Sequence, residues 1–128
     1  MNTLFSVETI NMLCGDKLYS EYSFEQLIAA ARGGDTDSKI QVAMMYMHGV
    51  GITQDFDKAQ YWFKSSANDG HPQGLKMYGY TFYGTNNKQA FEYINKAAQL
   101  GDIEARYLTS KFYLEGLGVG KNKSKSIY

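Results

Sequence analysis

The sequence contains one cysteine, one proline and no excess of charge of either sign among its 128 residues. The single cysteine, Cys14, excludes an intramolecular disulfide framework and a zinc site with several cysteine ligands. Thirteen basic and thirteen acidic residues cancel, whereas nucleic-acid-binding domains usually carry a clear excess of lysine and arginine. No hydrophobic run is long enough to cross a membrane, and residues 1–10 lack the pattern of a signal peptide. The sequence therefore predicts a single cytoplasmic domain that binds neither nucleic acid nor membrane.

Tyrosine and methionine, by contrast, are abundant, with eleven and six residues respectively. These numbers exceed what a small core needs, and tyrosine is favoured at protein interfaces. The near absence of proline suits helices joined by short turns. Composition thus favours a helical protein that binds another protein.

The chain repeats itself at intervals typical of helical hairpins. Small residues precede a glycine three times, at Gly34, Gly70 and Gly101. A second set of residues recurs at a constant offset of 67 positions: Tyr46, Gly49, Gly51 and Ile52 correspond to Tyr113, Gly116, Gly118 and Val119. Because the offset equals the distance from Gly34 to Gly101, the two patterns belong to one repeat.

Each repeat is predicted to fold as helix, turn and helix. Gly49 and Gly51 would end the first helix, Asp55 would cap the second, and Pro72 would open the next repeat. Helical spacing predicts these core positions in the first two repeats: Ser38, Val42, Ala43, Tyr46, Ala59, Trp62, Ser66 and Ala67, then Gly74, Tyr78, Gly79, Phe82, Ala90, Tyr93, Ala97 and Ala98. Small residues among them would let neighbouring helices approach closely.

The predicted domain organisation follows the glycines. Residues 1–34 form a degenerate N-terminal capping hairpin, with one helix near Val7 to Tyr19 and a capping box from Ser23 to Gln26. Residues 35–70 form the first repeat, 71–101 the second and 102–128 a partial third. The second helix of the third repeat would begin near Asn122.

The segment MYMHGVGITQDFDKAQYWFKSSANDG, together with NKAAQLGDIEARY and YLEGLGV, resembles the Sel1-like repeat, a relative of the tetratricopeptide repeat. The resemblance covers residues 24–128, and the second loop, YGTNNK, is shortened and lacks the second glycine. The resemblance implies an all-α fold, a short right-handed α-solenoid of helix-turn-helix repeats. It also implies that the first helices of the repeats line a concave binding groove.

Each motif that could indicate a nucleotide-binding, metal-binding or catalytic site is explained better by a structural role. The GVG sequence follows a helix and lacks the third glycine of a dinucleotide-binding loop, so a hinge between helices is favoured. His48 and His71 lack partners with metal-ligand spacing. Asp55 and Asp57 lie at a predicted helix N-terminus, where acidic residues are stabilising. The sequence predicts no enzyme, no cofactor and no metal.

The face of each first helix that does not point to the core is unusually apolar for a solvated surface. Tyrosine and methionine there would suit recognition of a protein partner; the alternative is that these side chains pack on one another. The predicted protein-binding residues are Ile40, Met44, Met47, His48, Lys76, Tyr80, Tyr83, Tyr107, Lys111 and Leu114.

One dedicated protein partner is the natural expectation for so short a repeat array. Small size, tyrosine content and family analogy favour an immunity-type inhibitor that neutralises a cognate bacterial toxin through the concave face. The alternative is an adaptor in a signalling or secretion assembly. An incomplete last hairpin would also permit weak self-association through the open C-terminal end.

Overall fold

The computed structural model describes residues 24–121 and Lys125, and this part of the chain contains α-helices and no strand. The helices are α1 (Phe24–Arg32), α2 (Thr36–His48), α3 (Phe56–Asn68), α4 (Pro72–Tyr80), α5 (Asn87–Gln99) and α6 (Ile103–Glu115). The predicted helix at Val7–Tyr19, the capping residue Ser23 and the predicted helix start at Asn122 lie outside the described residues. The chain divides into two compact units, Met1–Ser66 and Ala67–Tyr128.

In the first unit, α1 packs against α2, and both helices bury apolar side chains. The rings of Phe24 and Tyr46 meet edge to face with 5.4 Å between their centroids. The predicted core positions of α2 are buried, but so are Ile40 and Met44, on the side assigned to the surface. Apolar residues surround α2 instead of forming one stripe, and a helix of that kind is buried on most sides.

The glycine turns repeat in backbone geometry as well as in sequence. Gly49 ends α2 with φ 67° and ψ 34°, and Gly116 ends α6 with φ 70° and ψ 32°. This left-handed conformation favours glycine. The next residue donates its N–H into the preceding helix in both cases, from Val50 to the Met45 carbonyl and from Leu117 to the Phe112 carbonyl. The predicted helix-ending role of these glycines is confirmed.

A lysine–tyrosine contact extends the same offset beyond the glycines. Lys58 Nζ lies 5.6 Å from the ring centroid of Tyr46, and Lys125 Nζ lies 5.5 Å from that of Tyr113. Both pairs are separated by twelve positions, and the second follows the first by the predicted 67 residues. Lys125 thus lies against α6 as Lys58 lies against α2.

In the second unit, α5 packs against both α4 and α6. Gly79 allows a close approach of α4 and α5, because a Cβ atom there would lie 2.9 Å from both Ile94 Cγ1 and Tyr93 Cβ. Beside it, the rings of Tyr78, Phe82 and Tyr93 contact one another, with 4.8 Å between the centroids of the two tyrosines. Burial raises the pKa of Tyr78, and the neighbouring Tyr93 raises it further. The predicted role of small residues in close helix packing is confirmed at Gly79.

Side chains cap the starts of several helices. Asp55 accepts a hydrogen bond from the Lys58 N–H at 3.1 Å, as predicted. Asp102 serves α6 in the same way through Ala105, at 2.9 Å. Pro72 is the first residue of α4, where its missing N–H costs nothing.

Candidate protein-binding face

The structure separates the predicted binding residues of the first unit from solvent. Ile40, Met44 and His48 are buried, and Met47 is half-buried. The burial of Ile40, Met44 and His48 fits the alternative stated from the sequence, in which these side chains pack within the fold instead of facing solvent. Their contribution to partner binding stays a prediction.

His48 occupies the last turn of α2, as the sequence predicted, but its environment disfavours a positive charge. Burial lowers the pKa of His48 from its usual value of 6.5. The favourable effect of a cation at a helix C-terminus is thus outweighed by the loss of hydration. The neutral imidazole is the form that the folded protein holds at neutral pH.

Replacing His48 with glutamine is expected to reduce the acid sensitivity of the fold. Below pH 6.5 the unfolded chain takes up the His48 proton before the folded chain does, so the wild type loses stability there and keeps it above. Urea unfolding of both proteins above and below that pH measures the slope. A variant that loses stability as steeply as the wild type would show that another group carries the effect.

Lys76 is engaged within the second unit. Its Nζ lies 3.2 Å from Glu104 Oε1 and 3.5 Å from Asp102 Oδ2, and only 12% of the side chain is exposed. These ion pairs hold the middle of α4 beside the start of α6. Lys76 was predicted as a binding residue; the structure shows it positioning two helices, and direct binding by it stays a prediction.

The remaining predicted residues all belong to the second unit. Tyr80 and Tyr83 are each 50% exposed, Tyr107 is 55% exposed and Leu114 is 52% exposed. Lys111 is exposed as well, and its Nζ lies 5.7 Å from the Tyr107 ring centroid, within cation–π range. We call these five residues the tyrosine face: Tyr80, Tyr83, Tyr107, Lys111 and Leu114.

Ring contacts hold the tyrosine face in place. The rings of Tyr80 and Tyr83 stack at 5.8 Å with 25° between their planes. Tyr83 also meets the buried ring of Phe112 edge to face at 6.0 Å, which connects the turns after α4 to α6. Aromatic residues that are ordered before binding lose little conformational freedom when a partner arrives.

Tyr83 lies in a turn and not, as predicted, in a helix. The sequence placed it on the first helix of the second repeat, but α4 ends at Tyr80 and a series of turns follows. The N–H of Tyr83 donates to the Tyr80 carbonyl at 3.1 Å, which keeps the two side chains on the same side. The shortened loop YGTNNK, which lacks the second glycine, is the sequence feature that indicated an irregular structure after α4.

Sequence reasoning missed one exposed residue beside this face. Ile103 opens α6 one turn before Tyr107 and is 79% exposed, the largest value among the exposed apolar residues. Its position at i and Tyr107 at i+4 put both on one side of the helix. That helical spacing was available from the sequence.

The described residues offer little for catalysis or metal binding. No group of three or more histidine, cysteine, aspartate or glutamate side chains in this part of the chain could hold a metal ion. An open cavity of about 410 Å³ lies between α1 and α2, and Asp35 at its edge caps α2 through the Ser38 N–H. None of the described helices has the length and apolar character needed to span a membrane.

Paired helices with glycine ends at a fixed offset define a tandem array of helical hairpins. A family model of the Sel1 repeat matches residues 36–71, 74–102 and 103–128. The chain therefore belongs to the Sel1 repeat family, whose members are protein–protein interaction modules. The resemblance stated from the sequence is confirmed; the exact domain boundaries stay a prediction.

Similar proteins agree on the fold. A Sel1 repeat protein from Oxalobacter formigenes is 25% identical, with a TM-score of 0.71 and 80% of each chain covered. The c5321 protein, a protective antigen present in uropathogenic Escherichia coli strains, is 23% identical with a TM-score of 0.77, over 88% of this chain and 24% of that one. Both display the repeat fold, so the predicted all-α solenoid class is confirmed.

Curated relatives are much longer than this chain. A component of an ERAD-associated E3 ubiquitin-protein ligase, HRD3B of Arabidopsis thaliana, is 31% identical over 100 residues, which are 77% of this chain and 16% of that protein. The chain spans 16 to 24% of the length of the curated relatives it matches. The similarity therefore concerns only a part of each of these proteins.

Proposed function

We propose that the chain is a non-catalytic module that holds one protein partner on the tyrosine face. The carrying observation is that three tyrosines and a leucine, each half exposed or more, lie on the second unit, where ring contacts join Tyr83 to α6 and Lys111 to Tyr107. Tyrosine dominates the energetic centres of protein interfaces because it combines a large apolar surface with a hydroxyl group. Isolated exposed apolar residues need no explanation, but a group of four does.

In its most concrete form, the proposal is that binding inhibits the partner, as an immunity-type protein neutralises its cognate bacterial toxin in the cytoplasm. A preformed aromatic surface supports this form, because a rigid surface binds one matching partner tightly. A high tyrosine content, eleven residues in all, also supports it.

An adaptor is the second candidate, and the relatives favour it. HRD3B is named as a component of an E3 ubiquitin-protein ligase, and this chain matches only a part of its length. In an adaptor, the tyrosine face would join one component of an assembly to another without changing its activity.

Replacing Tyr80 and Tyr83 together with alanine is expected to abolish capture of the partner. The tagged chain is used to capture proteins from its host lysate, and mass spectrometry identifies what the wild type retains and the double variant loses. Tyr61→Ala is the matched control, because Tyr61 is 63% exposed on α3 in the other unit. Equal capture by the double variant would refute the proposed face.

The identity of the captured protein then separates the two forms. Expressing the partner alone, with the wild-type chain and with the double variant shows whether the chain protects cells. Arrest of growth by the partner, relieved only by the wild type, supports the inhibitor. A partner that is harmless alone and belongs to a larger assembly supports the adaptor.

A further inference from the structure

Hydrogen-bond donors on the tyrosine face lack acceptors within the described part of the chain. Lys111 contacts the Tyr107 ring, and no carboxylate among the described residues lies within ion-pair distance of its ammonium group. The hydroxyl groups of Tyr80, Tyr83 and Tyr107 make no hydrogen bond to any described residue. A lysine ammonium can only donate, and each tyrosine hydroxyl can donate one hydrogen bond.

The nearest acidic residues do not neutralise Lys111. Asp102 and Glu104 are both paired with Lys76 at the start of α6. Glu115 follows Leu114 and is exposed, but it makes no ion pair with Lys111. Lys111 therefore holds a positive charge against the Tyr107 ring, with no acidic partner in the described part of the chain.

A carboxylate is the group that complements this arrangement. A charge pair on an open surface contributes little, because water and salt screen it. When a partner covers the surrounding rings, water leaves and the same pair becomes stronger. The carboxylate must therefore arrive together with an apolar side chain that covers the tyrosines.

We propose that the tyrosine face binds an acidic protein segment that places an aspartate or glutamate beside a large apolar residue. The carboxylate accepts hydrogen bonds from Lys111 and from tyrosine hydroxyls, and the apolar residue packs on the Tyr80–Tyr83 pair. Charge complementarity of this kind determines which partner is accepted and how fast it associates. This inference rests on the proposed protein-binding function and specifies the chemistry of its partner.

The test uses a phage-displayed library of random linear peptides, selected separately on the wild type, Lys111→Glu and Tyr80→Ala/Tyr83→Ala. The wild type is expected to enrich peptides with an acidic residue near a phenylalanine, tryptophan, tyrosine or leucine. Lys111→Glu should enrich lysine or arginine in its place, with the apolar residue retained. The double tyrosine variant should enrich neither class.

A synthetic peptide from the wild-type selection gives the quantitative result. Its dissociation constant is expected to rise by at least about tenfold in Lys111→Glu, because attraction is replaced by repulsion. Lys64→Glu is the matched control, since Lys64 is an exposed lysine on α3 of the other unit. Lys111 is exposed, so its replacement leaves the helices intact, which circular dichroism verifies.

The outcomes separate this inference from the proposed function. Tyrosine-dependent peptides without acidic residues, or peptides that bind Lys111→Glu as tightly as the wild type, would overturn the acidic preference and leave the tyrosine face in place. Selection of no peptide on the wild type would also overturn the inference. Capture of a folded partner by the wild type and not by the double tyrosine variant would then still support the proposed function.

Discussion

Replacement of Gly79 with valine is expected to destabilise the protein by about 3 kcal/mol, the upper range for inserting atoms into a packed core. A Cβ atom at this position would meet Ile94 Cγ1 and Tyr93 Cβ at 2.9 Å and the Ala90 carbonyl oxygen at 3.0 Å. Valine adds two methyl groups beyond that atom, so α4 and α5 must move apart. Urea unfolding followed by circular dichroism measures the loss.

Two further variants make the Gly79 result specific. Alanine at position 79 adds the Cβ alone and gains about 1 kcal/mol of helix propensity over glycine, so its net cost should be smaller. Glu92→Val places the same side chain at an exposed position of α5 and should cost only a few tenths of a kcal/mol. If Gly79→Val were as stable as Glu92→Val, the close approach of α4 and α5 would be wrong.

Replacement of Gly118 with alanine is expected to cost about 2–3 kcal/mol, from a strained backbone and a collision together. Gly118 has a φ of 67°, and a Cβ atom there would collide with the Asn87 carbonyl oxygen and lie 2.5 Å from the Lys88 nitrogen. These neighbours are backbone atoms at the start of α5, so no side-chain rotation can relieve the contact. The turn after α6 must detach from α5 or displace it.

Gly84→Ala separates the two causes at position 118. Gly84 also has a positive φ, 87°, but a Cβ atom there would meet nothing within 4 Å. It should therefore show the conformational cost alone, about 1–2 kcal/mol. Equal losses for Gly84→Ala and Gly118→Ala in urea unfolding would show that the turn does not pack on α5.

The repeat architecture was accessible from the sequence because it depends on local chemistry. Gly49 and Gly116 take a conformation that few other residues adopt, so their spacing marks the helix ends. Gly79 marks close helix packing for an equally local reason, the absence of a Cβ atom. Asp55 caps its helix within three residues of sequence. Such features need no knowledge of the rest of the fold.

The binding face could be predicted only in part from the sequence, because the exposure of a side chain depends on packing between segments that are far apart in the chain. Helical spacing assigned Ile40 and Met44 to the non-core side of α2 and Tyr80 to the non-core side of α4. Packing nevertheless buries the first two and leaves Tyr80 half exposed. Helical spacing placed Lys76 on the non-core side of α4, whereas the structure shows it in ion pairs with α6. Its acidic partners lie about one repeat further along the chain, beyond the reach of helical spacing within α4.

The most direct test of the central claim is the dissociation constant of the captured partner, measured by calorimetry for three purified proteins. The wild type and Tyr61→Ala should bind equally, and Tyr80→Ala/Tyr83→Ala should bind at least about tenfold more weakly, as expected when residues at the energetic centre of an interface are removed. The three proteins should have the same helical content by circular dichroism. Equal affinity for all three would contradict a binding function for the tyrosine face.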